Sequence, residues 1–342
     1  MLKQLLGSLA LGTVLVLSQG ADSAEFTMRF ASASPEMDNN FSWTPYEVLA
    51  REIEARSGGR IEVQMFPGAQ LGGIESLVNQ TRDGIIQACD PADGHFASTF
   101  PDVQVLGVPY LFVSREVAWR VLDGPVGDKL RERMAKEVGL RPLYWSENGG
   151  FRHYTSASTP IRSPADMTGL KMRTMNHPLH MEIAKSLGMS PTPIAWGELY
   201  TALQTGVVQG QENAIPTFLV PKLYEVQKHM VLDGHVYSIN TVTVNEAWYQ
   251  SLPPELKAAV EQAAEIALTT NRGMSIANEV SGRHFLEEQG VEIHDPTAAE
   301  KAEFRKLAQG PAIEWLKTQV DPALLEEVMA AVTEAETHFG YR

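Results

Sequence analysis

The segment FTMRFASASPEMDNNFSWTPYEVLAREIEARSGGRIEVQMF, residues 26 to 66, decides the fold. Its first eight residues, Phe26 to Ala33, alternate in the period of a half-buried strand. From Trp43 to Ser57 the apolar positions Tyr46, Leu49, Ala50 and Ile53 recur at three and four residues, which sets them on one helix face. Gly58 and Gly59 stop that helix, and Arg60 to Phe66 alternates again. A helix over Ile74 to Arg82 and a short buried strand over Ile85 to Ala88 complete the order β-α-β-α-β. Such an order pairs strands in parallel through crossover helices, so the expected fold class is α/β, with mixed sheets flanked by helices. Ligands on such sheets sit beyond the carboxyl ends of the strands.

A second unit follows. A helix over Pro125 to Val138 leads into a strand at Leu140 to Trp145, and Glu147-Asn148-Gly149-Gly150 reads as a crossing between lobes with two glycines as hinge. Beyond it the pattern predicts a strand at Leu170 to Thr174, a helix near Leu179 to Leu187, a strand at Thr192 to Ala195 and a helix at Glu198 to Thr205. Val207 to Gly210 is strand-like, and Val236 to Asn245 alternates as a strand that returns the chain to the first lobe. Glu255 to Gln289 holds no proline and reads as one helix of about 50 Å, long enough to span both lobes. Helices near Ala298 to Gln319 and Pro322 to Phe339 finish the chain. The expected division is lobe I at 25–148 with 239–278 and lobe II at 149–238 with 279–342, with a ligand cleft between them.

At 342 residues the chain exceeds what one core serves, and 44% hydrophobic with 20% charged residues is a globular composition. Residues 1–24 read as a secretory signal: Lys3 at the start, an apolar run from Leu5 to Leu17, and small residues around Ala21-Asp22-Ser23. Losing Lys3 and Asp22 removes one charge of each sign, so the mature chain keeps a net charge of −14. That charge, with no run of Lys and Arg, excludes nucleic acid as a partner. A periplasmic monomer is the expectation. Cys89 is the only cysteine, so no internal disulfide can form; it reads as a small apolar residue at a strand end.

No nucleophile elbow, zinc-protease helix, phosphate loop or paired cysteines occur. The chain is read as a binding protein rather than an enzyme, with no cofactor. His177 and His180, three apart, could share a helix face, but without a nearby carboxylate cluster they make a weak metal site, and none is assigned. Arg173 is the candidate that matters. It ends the apolar strand Leu170 to Met172 just before a Met-Asn-His-Pro turn, where a guanidinium can offer two parallel donors to a carboxylate. Arg152, just past the glycine pair, could reach the same crevice. Trp196, at a strand-to-helix junction, can wall a pocket, and Asn213 of the Gln211-Glu212-Asn213 run can donate to a carboxylate. Glu75, Asp90 and Asp93 are possible polar contacts from the first lobe. The rival reading is a secreted hydrolase or lyase using His153, His177 or Glu198 as acid or base; a third is a ligand-sensing subunit of a membrane receptor.

The motifs FPGAQLGG (66–73), FPDVQVLGVPYLF (100–112), ENGGFRHYTSASTPIRSPADMTGLKMR (147–173), SPTPIAWGELYTALQTG (190–206), GQEN (210–213) and YEVQKH (224–229) resemble the substrate-binding subunits of tripartite ATP-independent periplasmic (TRAP) transporters. The resemblance covers nearly all the mature chain. It implies a two-lobed periplasmic-binding-protein fold that closes on an organic acid and delivers it to a permease of small and large membrane subunits. It further implies that Arg173 forms the salt bridge to the ligand carboxylate, that Arg152 and Asn213 add contacts, and that Trp196 walls the pocket. The chain departs from the family pattern at Gln209 and Ala214 around GQEN, at Met175 where a proline is usual, and at Trp196 where phenylalanine is commoner. Two ligand types stay open: an acid with an apolar tail against Trp196 and Met175, or a short hydroxy or keto acid.

Overall fold

The structure, a computed structural model, describes residues 24–342, so the signal expected at residues 1–24 lies, apart from Ala24, outside the described residues. The first unit runs β1 (Phe26–Ala31), α1 (Thr44–Arg56), β2 (Ile61–Phe66), α2 (Ile74–Arg82), β3 (Ala88–Cys89), α3 (Arg115–Leu122), α4 (Pro125–Val138) and β4 (Leu140–Ser156). The second runs β5 (Lys171–Thr174), α5 (Pro178–Ser186), β6 (Ser190–Pro193), α6 (Leu199–Gln204), β7 (Gly210–Asn213), α7 (Ile215–Leu219) and β8 (His229–Asn245). The tail is α8 (Glu246–Ser251), α9 (Pro254–Glu288), β9 (Glu292–His294), α10 (Ala298–Leu316) and α11 (Pro322–Phe339).

β1 pairs in parallel with both β2 and β3, as the crossover argument requires. α1 buries Tyr46, Leu49, Ala50 and Ile53, the face picked out by their spacing. Tyr46, Leu49 and Ile53 pack with Met28 and Phe30 of β1 and with Leu256, Val260 and Ala263 of α9. β3 is shorter than expected: Ile85 lies before it and is 55% exposed. β5 pairs in parallel with β6 and β7, so each half carries its own parallel set.

The halves are not joined by loops. β4 and β8 are each one strand of 17 residues, paired antiparallel from Leu140↔Asn245 to Ser156↔His229. The sheet therefore runs unbroken, in the order β2-β1-β3-β8-β4-β7-β5-β6, with β9 beside β8. The expected crossing at Glu147 to Gly150 is a register shift inside this ribbon rather than a break in it. Gly149 and Gly150 sit there at φ of +85° and +102°, a region that a side chain rarely adopts. A Cβ on Gly150 would also collide with the Arg115 guanidinium. The end of the second unit differs too: β7 starts at Gly210, so Gln211, Glu212 and Asn213 are the strand and do not merely follow it.

α9 is a 35-residue helix. Its first half packs on α1, and further along Gly282 lies against Ile215 and Leu219 of α7. At its middle, Asn271 donates to the carbonyls of Phe41 (2.9 Å) and Glu147 (3.1 Å) and accepts from the Glu147 N–H (2.8 Å). One buried amide thus ties the helix to the ribbon at its central irregularity. Asn271→Ala is expected to destabilise the protein by about 1 to 3 kcal/mol, because it strands a buried N–H and two carbonyls. A calorimetric Tm equal to the parent's would mean that packing alone holds these elements together. α10 packs on α5, while α11 packs on α3 and α4. Among the described residues no helix is long and apolar enough to cross a membrane.

Candidate ligand-binding site

Residues just beyond the carboxyl ends of β1 and β3 meet β5 and β7 around one cavity, where the sheet rule places a ligand. The first half contributes Ser34, Phe41, Ser42, Asp90 and His95; the second contributes Arg173, Met175, Trp196, Asn213 and Thr217. Asn148 of β4 and Asn240 of β8 line it from the crossing ribbon. The cavity measures about 70 Å³. At about 10 to 15 Å³ per water-sized sphere, that suits a small organic molecule. An adjoining hollow of about 300 Å³ shares His95, Arg173, Met175 and Trp196 and is bordered by Glu75.

Arg173 is 2% exposed, yet among the described residues no carboxylate pairs with it. Its Nε donates to the Ile194 carbonyl at 2.9 Å, and one terminal nitrogen, NH1, is buried with no partner. Burial lowers its pKa to about 10, with Arg152 adding to the effect and Glu212 opposing it. The only other buried arginine among the described residues, Arg152, is fully committed. It grips both carboxylate oxygens of Glu212, donates to the Glu212 carbonyl at 2.6 Å, and reaches Ser238 Oγ at 2.8 Å. Arg152 therefore faces along the sheet and does not line the cavity, contrary to its sequence-based placement in the crevice. Asp93 is also elsewhere: it is buried in a short turn, where it accepts from the Gly94 N–H at 2.8 Å.

The remaining candidates meet. Met175 is buried, Trp196 is half-buried beside it, and Asn213 points its amide toward Gln211 Oε1 at 2.7 Å. Glu75 stands exposed at the rim, 4.0 Å from His95 Nε2. His95 Nδ1 contacts the Ala92 carbonyl at 3.1 Å; burial lowers its pKa, so the ring is neutral and Nε2 is left as an acceptor. Asp90 is buried, takes a hydrogen bond from Ser32 Oγ at 2.8 Å, and is raised by that burial to about 7. Sequence reasoning noticed Asp90 but missed Asn240, Thr217 and Asn148. Asn240 stands alone in an alternating strand, and only its pairing with the Asp90 loop brings it to the site.

Beside the cavity lies a buried polar cluster. His180 Nδ1 is 3.6 Å from Glu212 Oε1, and His235 bridges Glu212 (3.3 Å) and Asp233 (2.9 Å). Burial works against the His235 proton, but Asp233 and Glu212 outweigh it and raise the ring to about 9. His177 stacks on His180 with centroids 4.0 Å apart. Among the described residues no group of three or more His, Cys, Asp or Glu is placed to hold a metal. His153, His177 and Glu198, the acid-base candidates of the rival reading, do not line the cavity. Cys89 is buried, and burial pushes its thiol up to about 12, which leaves it unreactive.

The family model of the bacterial extracellular solute-binding proteins, family 7 (DctP), matches residues 31–315. A solute-binding protein of Verminephrobacter eiseniae (strain EF01-2) is 35% identical over 309 residues, 90% of this chain and 90% of its own. The 2,3-diketo-L-gulonate-binding periplasmic protein YiaO of Escherichia coli (strain K12) is 33% identical over 241 residues, 70% of this chain and 73% of its own. The crystal structure of the sugar acid binding protein DctPAm from Advenella mimigardefordensis strain DPN7T, in complex with galactonate, matches at a TM-score of 0.85. It is 30% identical, over 90% of this chain and 98% of that one.

Proposed function

Because the chain belongs to family 7 of the bacterial extracellular solute-binding proteins, the DctP-type TRAP subunits, we propose that it captures a small organic acid through an Arg173–carboxylate ion pair. It then closes on the acid and delivers it to the small and large membrane subunits of a TRAP transporter. One observation carries this reading: a buried guanidinium that lines a small cavity and has no carboxylate partner of its own. A buried charge is expensive without a counterion, so a site of this kind is built to receive one. The ligands of two relatives, a diketogulonate and galactonate, are acids of the size that the cavity suits.

In this reading Arg173 anchors the carboxylate, Asn213 adds a donor beside it, and Trp196 with Met175 forms the apolar wall. Glu75 guards the rim. Arg152, held by Glu212, acts indirectly by fixing β7 so that Asn213 faces the cavity. Closure bends the β4–β8 ribbon at Gly149 and Gly150, excludes water and strengthens the ion pair. The two lobes divide near 25–148 with 239–278 and 149–238 with 279–342. Export through the signal at residues 1–24 puts the protein in the periplasm, where the membrane subunits can be reached.

A thermal-shift screen of residues 25–342 against mono- and dicarboxylates, sugar acids, aromatic acids and sulfonates tests the reading. An acid present at 100 times its Kd stabilises the native state by about 2.7 kcal/mol, a plain rise in Tm. A set in which no acid raises the Tm would overturn the proposal.

A further inference from the structure

The cavity is chemically lopsided. Arg173 is the one cationic side chain among its lining residues, since His95 is held neutral by burial and Arg152 is locked to Glu212. The part of the lining that comes from β3 and β8 consists of acceptors. Asp90 brings a carboxyl group, and the side-chain oxygen of Asn240 is buried with no partner. Asn240 is 8% exposed, and its amide nitrogen is already used on the Asp90 carbonyl at 3.2 Å, so its free oxygen is what the cavity offers a ligand. Ser32 Oγ holds the Asp90 carboxyl in place from behind.

On the reading that Arg173 takes a carboxylate, we infer that Asp90 and Asn240 select the other end of the ligand, and that they select a hydrogen-bond donor. The substrate class is then a monocarboxylate whose far end carries hydroxyl groups, as in an aldonic acid. A dicarboxylate is disfavoured. Its second carboxylate would meet the Asn240 oxygen and the Asp90 carboxyl with no second cation to balance it, so Asp90 would have to take up a proton for the acid to enter. A plain alkanoate is also disfavoured, because it would leave the buried Asn240 oxygen unpaired. Burial holds the Asp90 carboxyl well above its ordinary range, which agrees with a group that gains when a donor arrives.

The test uses acids of one skeleton that differ at the far end. At six carbons, galactonate ends in a hydroxyl and galactarate in a second carboxylate; at four, 4-hydroxybutyrate, succinate and butyrate form the same series. Calorimetry on residues 25–342 is expected to give a Kd at least tenfold lower for a hydroxyl-ended acid than for the dicarboxylate of its length. Asp90→Asn is expected to shrink that ratio severalfold, chiefly by letting the dicarboxylate in. The parent's own ratio reads the inference even if the variant folds poorly. A dicarboxylate that binds as tightly as its hydroxyl-ended partner, or a ratio unmoved by a folded Asp90→Asn protein, overturns the inference. So does a panel in which no member of either length binds. Failure of the Arg173 reading looks different: Arg173→Lys would then leave the affinity of every acid intact.

Discussion

Arg173→Ala is expected to weaken binding of the acid by tens to thousands of fold, with little loss of stability in the ligand-free protein. Removing one partner of a buried, hydrogen-bonded charge pair costs about 2 to 5 kcal/mol of affinity. The stability half of the expectation separates a binding residue from a structural one. An arginine in a structural ion pair strands its partner when it is removed, whereas Arg173 has no carboxylate to strand and gives up one hydrogen bond, to the Ile194 carbonyl. Burial already works against its charge. Lysine should rescue little, because it cannot present two parallel donors to one carboxylate. Titration calorimetry and a melting curve, run on the same sample, decide it. Unchanged affinity would remove Arg173 as the anchor, and a large drop in Tm would mark it as structural.

Glu212→Ala is expected to act in the opposite way, on stability first. It leaves the Arg152 guanidinium buried at 1% exposure without its counterion, and it removes the partner of His235 and His180. Breaking such a pair costs about 3 to 5 kcal/mol. The pH dependence carries a sign. Burial alone would raise the Glu212 pKa, but Arg152 and the hydrogen bonds from His180 and His235 outweigh it and hold the carboxyl well below its usual range. A depressed carboxyl stabilises the fold above its unfolded pKa of about 4.5 and loses that contribution as pH falls through the folded value. The gap between parent and variant should therefore be full at pH 6 and narrow in acid. Denaturant unfolding at several pH values measures it, and a gap that widened in acid would refute the argument.

Much of the architecture could be read along the chain, because its helices obey local rules. α2, α4 and α11 have the expected bounds, since each starts after a loop residue and shows a clear apolar face. The two long strands can be read only in part, at Leu140 to Trp145 and Val236 to Asn245, for a physical reason. Register shifts at Pro142/Tyr144, Glu147/Gly150 and Arg152/Tyr154 each break the two-residue period that marks a strand. A glycine pair that reads as a crossing between lobes is here a register shift in a continuous ribbon. The site divides in the same way. Arg173 and Asn213 lie at strand ends and Met175 and Trp196 just beyond them, and all four are visible as such. The fate of Arg152 depends on Glu212, which lies 60 residues away, and no local pattern reports that meeting. Asn240 is hidden for the same reason.

The shared ribbon has a consequence for the integrity of the molecule. Two strands and one helix run through both halves, and the largest apolar cluster draws on Leu106 and Val121 as well as Met172 and Leu179. No single cut in the chain yields a half with a complete sheet edge and a closed core. A fragment ending near Asn148 would expose half of β4 without β8, an unpaired edge of the kind that aggregates. On the proposed closure, what moves as two bodies is built as one cooperative unit, which must be made and folded whole.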